Sequence, residues 1–307
     1  MFLSTLGIAA LLFMAPPVSQ APPASKAPPA DDARKGSAHA GPAGLEVSWH
    51  TSLASAVEAA RKAPEKRLLI EFMEDDCGDC ARMESLIHPA TSFFSLMQDK
   101  VAVRLSRATP EGRALAERLG VTRSPGWAIV TPDLLLCGYQ DGPTSQTEWF
   151  EIFAKSEASW AEYRRLLDKE QKAPGDAALV YRVAVETFER RGDDIAEPRF
   201  RRLSKDASVS ADVREKSLAY LASIELEQGR PVEAEMDLNA LLAIAKDPAI
   251  RERAELHLVT VEIAKGRRDK AIARLRTFLA SHPDSKLLDE ARAVLKALAP
   301  ADASIAR

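Results

Sequence analysis

Residues 68–80 have the sequence LLIEFMEDDCGDC, in which an apolar run ends in three acidic residues and a Cys-x-x-Cys pair. The run from Arg67 to Met73 is almost entirely apolar, which predicts a central strand buried on both faces, with Glu71 as the exception. Two residues between Cys77 and Cys80 place both sulfurs in the first turn of a following helix, close enough to form a disulfide. The helix N-terminus also favours a thiolate on Cys77. The stretch therefore predicts a dithiol site at the start of a helix.

The composition limits the classes of function that fit the chain. A chain of 307 residues is long enough for two domains, and a hydrophobic fraction of 46% with a net charge of -3 is typical of an ordinary soluble protein. Because there is no basic excess, we do not expect binding to nucleic acid. Three cysteines and five scattered histidines show neither a disulfide framework nor a metal-binding spacing. We therefore expect no metal and no other cofactor.

The N-terminal region predicts export. Phe2 to Met14 form an apolar stretch of 13 residues, which is too short to span a bilayer comfortably but fits the core of a signal peptide. We predict a signal peptide over 1–21, a disordered linker rich in Pro and Ala over 22–44, and a disordered tail over 299–307. The protein is then periplasmic or secreted. The alternative is a buried helix or short anchor, so membrane contact would come only through an uncleaved signal segment.

Residues 45–156 alternate between patterns of strands and helices, which predicts an α/β domain. Thr51 and Ser52 are plausible caps for a helix that ends before Pro64, and Gly120 is a plausible end of another. Alternating apolar residues after Lys100 predict a second strand. The remaining predicted elements are strands over 127–131 and 134–139 and helices over 81–87, 91–97, 111–119 and about 145–154.

This order of elements resembles the thioredoxin-like family over the whole of 45–156. Four features match in sequence: the acid Glu71 six residues before the first cysteine, the pair Cys77 and Cys80, the approach from Gly120 to Pro125, and the hairpin after it. Within the family, Trp49 before a helix, Arg82-Met83 after the cysteines, and Pro89 look most like exported relatives of the disulfide-interchange proteins.

The resemblance implies a role for each matching residue. Cys77 would be the attacking cysteine, Cys80 the resolving cysteine, Pro125 a cis proline facing the pair, and Glu71 the buried proton acceptor behind it. Three alternatives stay open from the residues alone. Glu71 can face solvent on an edge strand, Pro125 can be trans in an ordinary turn, and the cysteines can form a purely structural disulfide.

Two further residues are predicted to meet the substrate. Because Pro125 has no N–H, the amide and carbonyl of Ser124 are free to pair with an extended chain lying beside them. Asp76 immediately precedes Cys77, where the family usually has an aromatic residue. Cys137 is the third cysteine, and its apolar surroundings favour a buried core residue over a third redox centre.

The acids around the dithiol distinguish this chain from its relatives. Asp79 lies between the cysteines, where the family often has a proline, and Glu74, Asp75 and Asp76 precede them. Their negative charge opposes a thiolate on Cys77, so the dithiol form is less stable and the disulfide is harder to reduce. We therefore expect a reducing or weakly active pair rather than a strong oxidant.

Residues 157–298 are almost continuously helical in pattern, and they repeat. Gly192, Gly229 and Gly266 are 37 residues apart, as are Leu241 and Phe278. This period resembles the tetratricopeptide repeat class and predicts an all-α domain of stacked helical hairpins. Such stacks usually present a concave surface to a peptide or partner protein. The alternative is that the repeats only support the first domain or form a dimer face.

Together these patterns predict an exported thiol–disulfide oxidoreductase. Its partners would be protein clients carrying thiols or disulfides, a protein that donates or accepts electrons, and a peptide or protein on the helical repeats. A binding or scaffold protein with an inert disulfide is the main alternative. A weaker third interpretation is that the cysteine pair hands over a soft metal such as Cu(I).

Overall fold

A computed structural model describes residues 39–40, 46–63 and 66–298. The predicted signal peptide, the predicted C-terminal tail and most of the predicted linker lie outside the described residues. The described chain divides into two compact units, the first ending at Ala196 and the second beginning at Glu197.

The first unit is built on a five-stranded mixed sheet. Its strand order is β3-β5-β4-β6-β7, in which β3, β5 and β4 are parallel while β6 and β7 are antiparallel to their neighbours. β1 and β2 form a separate two-residue antiparallel pair, so His39–Ala40 is a short strand inside the segment predicted as linker. The strands are β1 (His39–Ala40), β2 (Glu46–Val47), β3 (Trp49–His50), β4 (Arg67–Met73), β5 (Lys100–Ser106), β6 (Gly126–Val130) and β7 (Leu136–Gln140).

Helices cover both faces of this sheet, as expected for the α/β architecture that the resemblance implies. Ser52 caps the first helix as predicted, and Thr109 caps the helix that begins at Pro110. The helices of the first unit are α1 (Leu53–Arg61), α2 (Gly78–Leu86), α3 (Thr91–Met97), α4 (Pro110–Arg118), α5 (Gln146–Lys172) and α6 (Ala177–Glu189).

The central strand β4 is buried on both faces, as its sequence predicts. Leu69 belongs to a core cluster that includes Met83 of α2 and Trp149 of α5. Leu68 and the residues alternating with it pack against the opposite cluster, which includes Ala60 of α1. Because alternate residues of a strand point to opposite faces, Glu71 lies on the same face as Leu69. The alternative that Glu71 lies on a solvent-facing edge strand is therefore wrong.

Helix α5 differs from the predicted helix over 145–154. It continues to Lys172, because no glycine or proline interrupts the sequence between these positions, so the predicted boundary at residue 156 lies inside it. Helix α5 packs closely on β7. A Cβ atom added to Gly138 would lie 2.1 Å from Oγ of Ser156, so Ser156 occupies the space that a side chain at Gly138 would need. The Leu136 amide of β7 also donates a hydrogen bond to the carbonyl of Arg190, after α6 (2.8 Å). These contacts extend the first unit well beyond the predicted boundary.

The second unit consists of helices that pack consecutively from α8 to α12. One apolar cluster of this unit joins Leu256 and Val259 of α10 to Leu275 and Phe278 of α11 and to Val294 of α12. The remaining helices are α7 (Asp193–Lys205), which begins before the division at Glu197, α8 (Ala211–Glu227), α9 (Pro231–Ile244), α10 (Pro248–Ala264), α11 (Arg268–Ser281) and α12 (Leu288–Leu298).

The first interval of the internal repeat is 38 residues, one more than the spacing between Gly192 and Gly229. Gly229 and Gly266 end helices with φ of 70° and 69°, whereas the corresponding left-handed residue after α6 is Arg191, one position before Gly192. The fully buried alanines Ala196, Ala234 and Ala271 are accordingly 38 and 37 residues apart, and so are the buried residues Leu203, Leu241 and Phe278.

Candidate functional site

The two cysteines lie where β4 passes into α2. In the turn between β4 and α2, Asp76 adopts the left-handed conformation (φ 57°), and Cys77 is the N-cap of α2. Cys77 and Cys80 form a disulfide with an S–S distance of 2.01 Å, and the Cys80 amide donates a hydrogen bond to the Cys77 sulfur (3.1 Å). Cys77 is partly exposed, whereas Cys80 is only 4% exposed. A partner molecule can therefore reach the first sulfur more readily than the second.

The loop before β6 lies beside the end of β4. The peptide bond between Ser124 and Pro125 is cis, which excludes the alternative of a trans proline in an ordinary turn. Gly126 opens β6 and is paired in register with Phe72, near the end of β4. A Cβ atom at Gly126 would lie 2.4 Å from a Val121 methyl carbon and 2.9 Å from two backbone oxygens. The close approach explains why glycine follows the cis proline.

Arg107 connects this loop to the turn before the cysteines. Its Nη1 lies 3.2 Å from Oε1 of Glu74 and 3.4 Å from Oγ of Ser124. The guanidinium therefore holds together the two segments that the sequence predicts to meet a substrate.

A small, shallow groove lies between α2 and the cis-proline loop. Leu86 at the end of α2 is 49% exposed and contributes an apolar wall. The groove is lined by Asp79, Met83, Leu86, Pro125, Pro143 and Thr144, among others. It combines Asp79, which lies between the two cysteines, with the cis proline Pro125.

Asp141 anchors the cis-proline loop, and the sequence interpretation missed this residue. Its carboxylate accepts hydrogen bonds from the amides of Thr122 and Arg123 (2.7 Å each) and from the Thr122 hydroxyl (2.9 Å). Burial alone would raise the pKa of Asp141, but these hydrogen bonds outweigh burial and lower the pKa. The contact joins residues about twenty positions apart, and no local pattern in the sequence announces it.

Glu71 is fully buried and belongs to a polar network beneath α2. Its Oε1 lies 2.8 Å from Nε2 of His88, which is also fully buried, and its Oε2 lies 3.4 Å from Nη2 of Arg104. Arg104 Nη1 lies 2.7 Å from Oε1 of Glu84, and its guanidinium stacks over the Trp49 ring at 4.6 Å. Glu71 was predicted from the sequence, but its two direct partners, His88 and Arg104, and the Glu84 that pairs with Arg104 were not. Their only sequence signal is that Glu84 and His88 follow Cys80 at intervals of four residues.

The acids around Cys77 are mostly exposed. Asp79 lies 4.0 Å from the guanidinium of Arg82, at the limit of an ion pair. Asp75 and Asp76 are exposed and form no ion pair within the part of the chain that the structure describes. Of the four acids around the partly exposed sulfur of Cys77, Asp75 and Asp76 thus have no cation partner among the described residues, whereas Glu74 pairs with Arg107.

Cys137 lies in the core of the first unit. It is a free thiol, and burial raises its pKa to about 12. A thiol that stays protonated does not attack a disulfide, so the environment of Cys137 fits a core residue rather than a redox centre.

Two further features, a metal-binding cluster and a membrane-spanning helix, are not found among the described residues. Among them, no group of three or more His, Cys, Asp or Glu side chains is arranged to hold a metal ion. No helix within the same ranges is long and apolar enough to cross a membrane.

Comparisons with known proteins give structural matches alone. No model of a protein family matches the sequence, and no curated protein matches it. A thioredoxin from Thermus thermophilus matches with 20% identity and a TM-score of 0.32, covering 36% of this chain and 85% of that one. The oxidised C-terminal domain of DsbD from Neisseria meningitidis matches with 20% identity and a TM-score of 0.30, covering 34% of this chain and 91% of that one. A DsbH oxidoreductase matches with 16% identity and a TM-score of 0.30, covering 38% of this chain and 85% of that one.

Proposed function

We propose that this protein is an exported thiol–disulfide oxidoreductase whose cysteine pair reduces disulfides or exchanges them slowly. The observation that carries the proposal is the asymmetry of the pair, in which a partly exposed Cys77 caps a helix while Cys80 is buried behind it. A small groove lined by the cis proline is also lined by Asp79, which lies between the two cysteines.

The chemistry follows from this asymmetry. In the reduced protein, the Cys77 thiolate attacks a disulfide of the client and forms a mixed disulfide, while one client sulfur leaves as a thiolate. Cys80 then attacks Cys77, which restores the Cys77–Cys80 disulfide and releases the second client sulfur. The client disulfide gains two electrons and the protein loses two, so an external dithiol protein must reduce the pair again.

The surrounding carboxylates favour the reducing direction. A thiolate on Cys77 is stabilised by the helix N-terminus but destabilised by Asp75, Asp76 and Asp79. A less stable thiolate weakens the dithiol form relative to the disulfide, which makes the dithiol a better electron donor. A reduction potential as oxidising as that of dedicated disulfide-forming enzymes would contradict this direction.

The second unit gives the protein a surface for partners. Its helices repeat at 37 to 38 residues and pack consecutively, as tetratricopeptide-like hairpins do. We infer that this unit binds a peptide or a protein partner and brings clients to the dithiol. Export, through the predicted signal peptide, would place both units among periplasmic or secreted proteins. A variant truncated after Ala196 is then expected to keep reducing a model disulfide but to capture fewer clients.

A trapping experiment tests the activity. The Cys80→Ser variant cannot resolve a mixed disulfide, so after incubation with extracted exported proteins it should accumulate adducts through Cys77 that dithiothreitol releases. The matched control is the Cys77→Ser/Cys80→Ser double variant, which retains only the buried Cys137. If the single variant captures no more than the double variant, and the wild type reduces no model disulfide, the oxidoreductase assignment fails. The inert-scaffold alternative then stands.

A further inference from the structure

We propose that Arg107 is a positioning residue of the dithiol site: it cancels the charge of Glu74 beside Cys77 and holds the cis-proline loop against the turn before the cysteines. The first effect concerns the cysteine pair itself and needs no client. The second effect rests on the proposed thiol–disulfide exchange, because it concerns how a client meets the loop.

The backbone of Arg107 is fixed at the end of the sheet where the cysteine turn begins. Arg107 directly follows β5, and its amide donates a hydrogen bond to the carbonyl of Met73, the last residue of β4 (3.0 Å). Met73 pairs in register with Ser106, so this bond continues the parallel pairing of the two strands by one residue. The side chain of Arg107 therefore starts from a point that the sheet holds in place, next to the turn that carries Cys77.

One nitrogen of the guanidinium contacts both sides of the site. Nη1 donates to Oε1 of Glu74 in the turn (3.2 Å) and to Oγ of Ser124 in the cis-proline loop (3.4 Å). The Arg107 side chain is only 15% exposed, whereas the side chain of Arg82, which lies 4.0 Å from Asp79, is 64% exposed. Solvent screens an exposed ion pair strongly and a partly buried pair less. Of these two cations, Arg107 therefore acts more strongly on its acid.

Glu74 is close enough to Cys77 to influence it. Asp75 and Asp76 form a turn, and Glu74 and Cys77 are the residues that flank it. The α carbons at the two ends of such a turn lie within about 7 Å of each other. A carboxylate at this distance destabilises a thiolate on Cys77 unless a cation neutralises it. Arg107 supplies that cation for Glu74, so its guanidinium weakens the total repulsion that the thiolate meets.

The sign of the effect follows from the reduction of the disulfide. The Cys77–Cys80 bond takes up two electrons and, where Cys77 stays a thiolate, one proton on Cys80. Any group that stabilises the thiolate stabilises this dithiol form and favours reduction of the pair. Arg107 therefore raises the reduction potential of the pair above the value that the acids alone would set, and its loss makes the disulfide harder to reduce.

The cis-proline loop has two anchors. Asp141 holds the amides of Thr122 and Arg123 at the end of β7, and Arg107 holds Oγ of Ser124 at the turn. The first anchor ties the loop to the sheet, and the second sets its distance from the cysteine turn. Without Arg107 the loop keeps its tie to the sheet, but the spacing between Ser124 and the cysteine turn, where a client chain would lie, is no longer fixed.

Equilibrium with glutathione tests the charge effect without any client. The oxidised fraction is counted from the thiols that are alkylated after denaturation, where the free thiol of Cys137 reacts in both forms. Arg107→Met should shift the equilibrium about threefold toward the disulfide, the size expected for the loss of one partly exposed charge. Glu74→Gln should shift it toward the dithiol, and the double variant Arg107→Met/Glu74→Gln should return close to the wild-type value.

Three further variants separate charge from structural support. Arg107→Lys keeps the charge and should keep the wild-type equilibrium, whereas Arg107→Gln loses the charge but keeps an N–H donor and should behave like Arg107→Met. The matched control is Arg113→Met, which removes an exposed guanidinium that donates to the backbone carbonyls of Arg107 and Ala108 and should change the equilibrium little. If both neutral variants at position 107 keep the wild-type equilibrium, or if adding Glu74→Gln changes nothing, the charge effect is wrong.

Steady-state reduction of a peptide disulfide tests the loop effect. Ser124→Ala keeps the backbone that would pair with a client but removes the oxygen that Arg107 holds. It should raise KM about threefold, as the loss of one hydrogen bond does, and leave kcat and the glutathione equilibrium unchanged. Arg107→Met should raise KM as well, and adding Ser124→Ala to it should raise KM no further, because both substitutions remove the same contact. A wild-type KM in Ser124→Ala, or two effects on KM that simply multiply, would refute the loop effect.

The outcomes also separate the role of Arg107 from the proposed function. If the wild type reduces peptide disulfides while every variant at position 107 keeps the wild-type equilibrium and KM, Arg107 has no role and the oxidoreductase remains. If the wild type reduces no peptide disulfide, the client reaction and the loop effect are both wrong, and the glutathione equilibria alone decide the charge effect.

Discussion

Gly126→Ala perturbs the cis-proline loop directly, because Gly126 follows Pro125 and opens β6. A Cβ atom at this position would lie 2.4 Å from Cγ1 of Val121 and 2.9 Å from the backbone oxygens of Arg123 and Gln140. The valine methyl can rotate away, but the two oxygens belong to the loop and to β7 and cannot move independently. The substitution must therefore shift either the loop or the strand.

The cost follows from two opposing effects. Forcing an extra carbon into a filled site costs about 1–3 kcal/mol, whereas replacing glycine with alanine gains about 0.4–1 kcal/mol by restricting the unfolded chain. We expect Gly126→Ala to lose about 1–2 kcal/mol of unfolding free energy in total. The control is Gly175→Ala in the same unit, where the new Cβ has no neighbour within 4 Å. The control should keep the gain and become slightly more stable.

Tryptophan fluorescence measures this difference within the first unit alone. The four tryptophans are Trp49, Trp127, Trp149 and Trp160, so all of them lie before Ala196. The midpoint of thermal unfolding should fall by about 3–6 °C in Gly126→Ala. The rate of model-disulfide reduction should fall with it, because the displaced loop carries the cis proline that lines one groove together with Asp79. A Gly126→Ala protein as stable as Gly175→Ala would show that the loop is not held as tightly as these distances require.

Three further predictions test other contacts. Arg190→Ala should lower the stability of the first unit by about 3 kcal/mol, because its guanidinium donates to the buried carbonyls of Leu136 and Cys137 and to the carbonyl of Ser159. Denaturant titration followed by fluorescence measures this loss, and the exposed Arg164→Ala should change little. Burial lowers the pKa of His257 to about 4, so the unfolded chain binds a proton more readily and stability falls as pH drops from about 6.5 toward 4. His257→Gln should flatten this loss in circular-dichroism melts. Asp141→Ala removes the acceptor of two amides before the cis proline and should slow disulfide reduction severalfold, with Asp133→Ala as a control of wild-type rate.

The sequence predicted the structure best where nearby residues determine the type or the start of an element. The apolar run of β4 predicted a strand buried on both faces, and Ser52 predicted the start of α1. Local rules suffice in both cases, because a buried central strand and a capped helix end are determined by residues within a few positions. The end of α5 was mispredicted for the converse reason. Its sequence lacks a breaking residue up to Lys172, so the predicted domain boundary had no physical signal.

The polar network around Glu71 could not be predicted from the sequence, because its members come from three separate parts of the chain. Glu71 stands on β4, Arg104 on β5, and Glu84 and His88 on α2 and the turn that follows. The parallel pairing of β4 with β5 brings Glu71 opposite Arg104, and only the register decides that. The spacing of four residues between Cys80, Glu84 and His88 is the one trace of this network in the sequence, and it was not used. It did not indicate what they would face.

The acids of the site differ in their exposure to solvent, and so in the strength of their electrostatic effects. Asp75 and Asp76 are exposed, so water and salt screen their repulsion of a Cys77 thiolate. Glu71 is fully buried beside His88, where neither water nor salt screens it. The exposed acids therefore destabilise a thiolate on Cys77 modestly and less so as salt is added, whereas the interaction of Glu71 with His88 keeps its strength at any salt concentration.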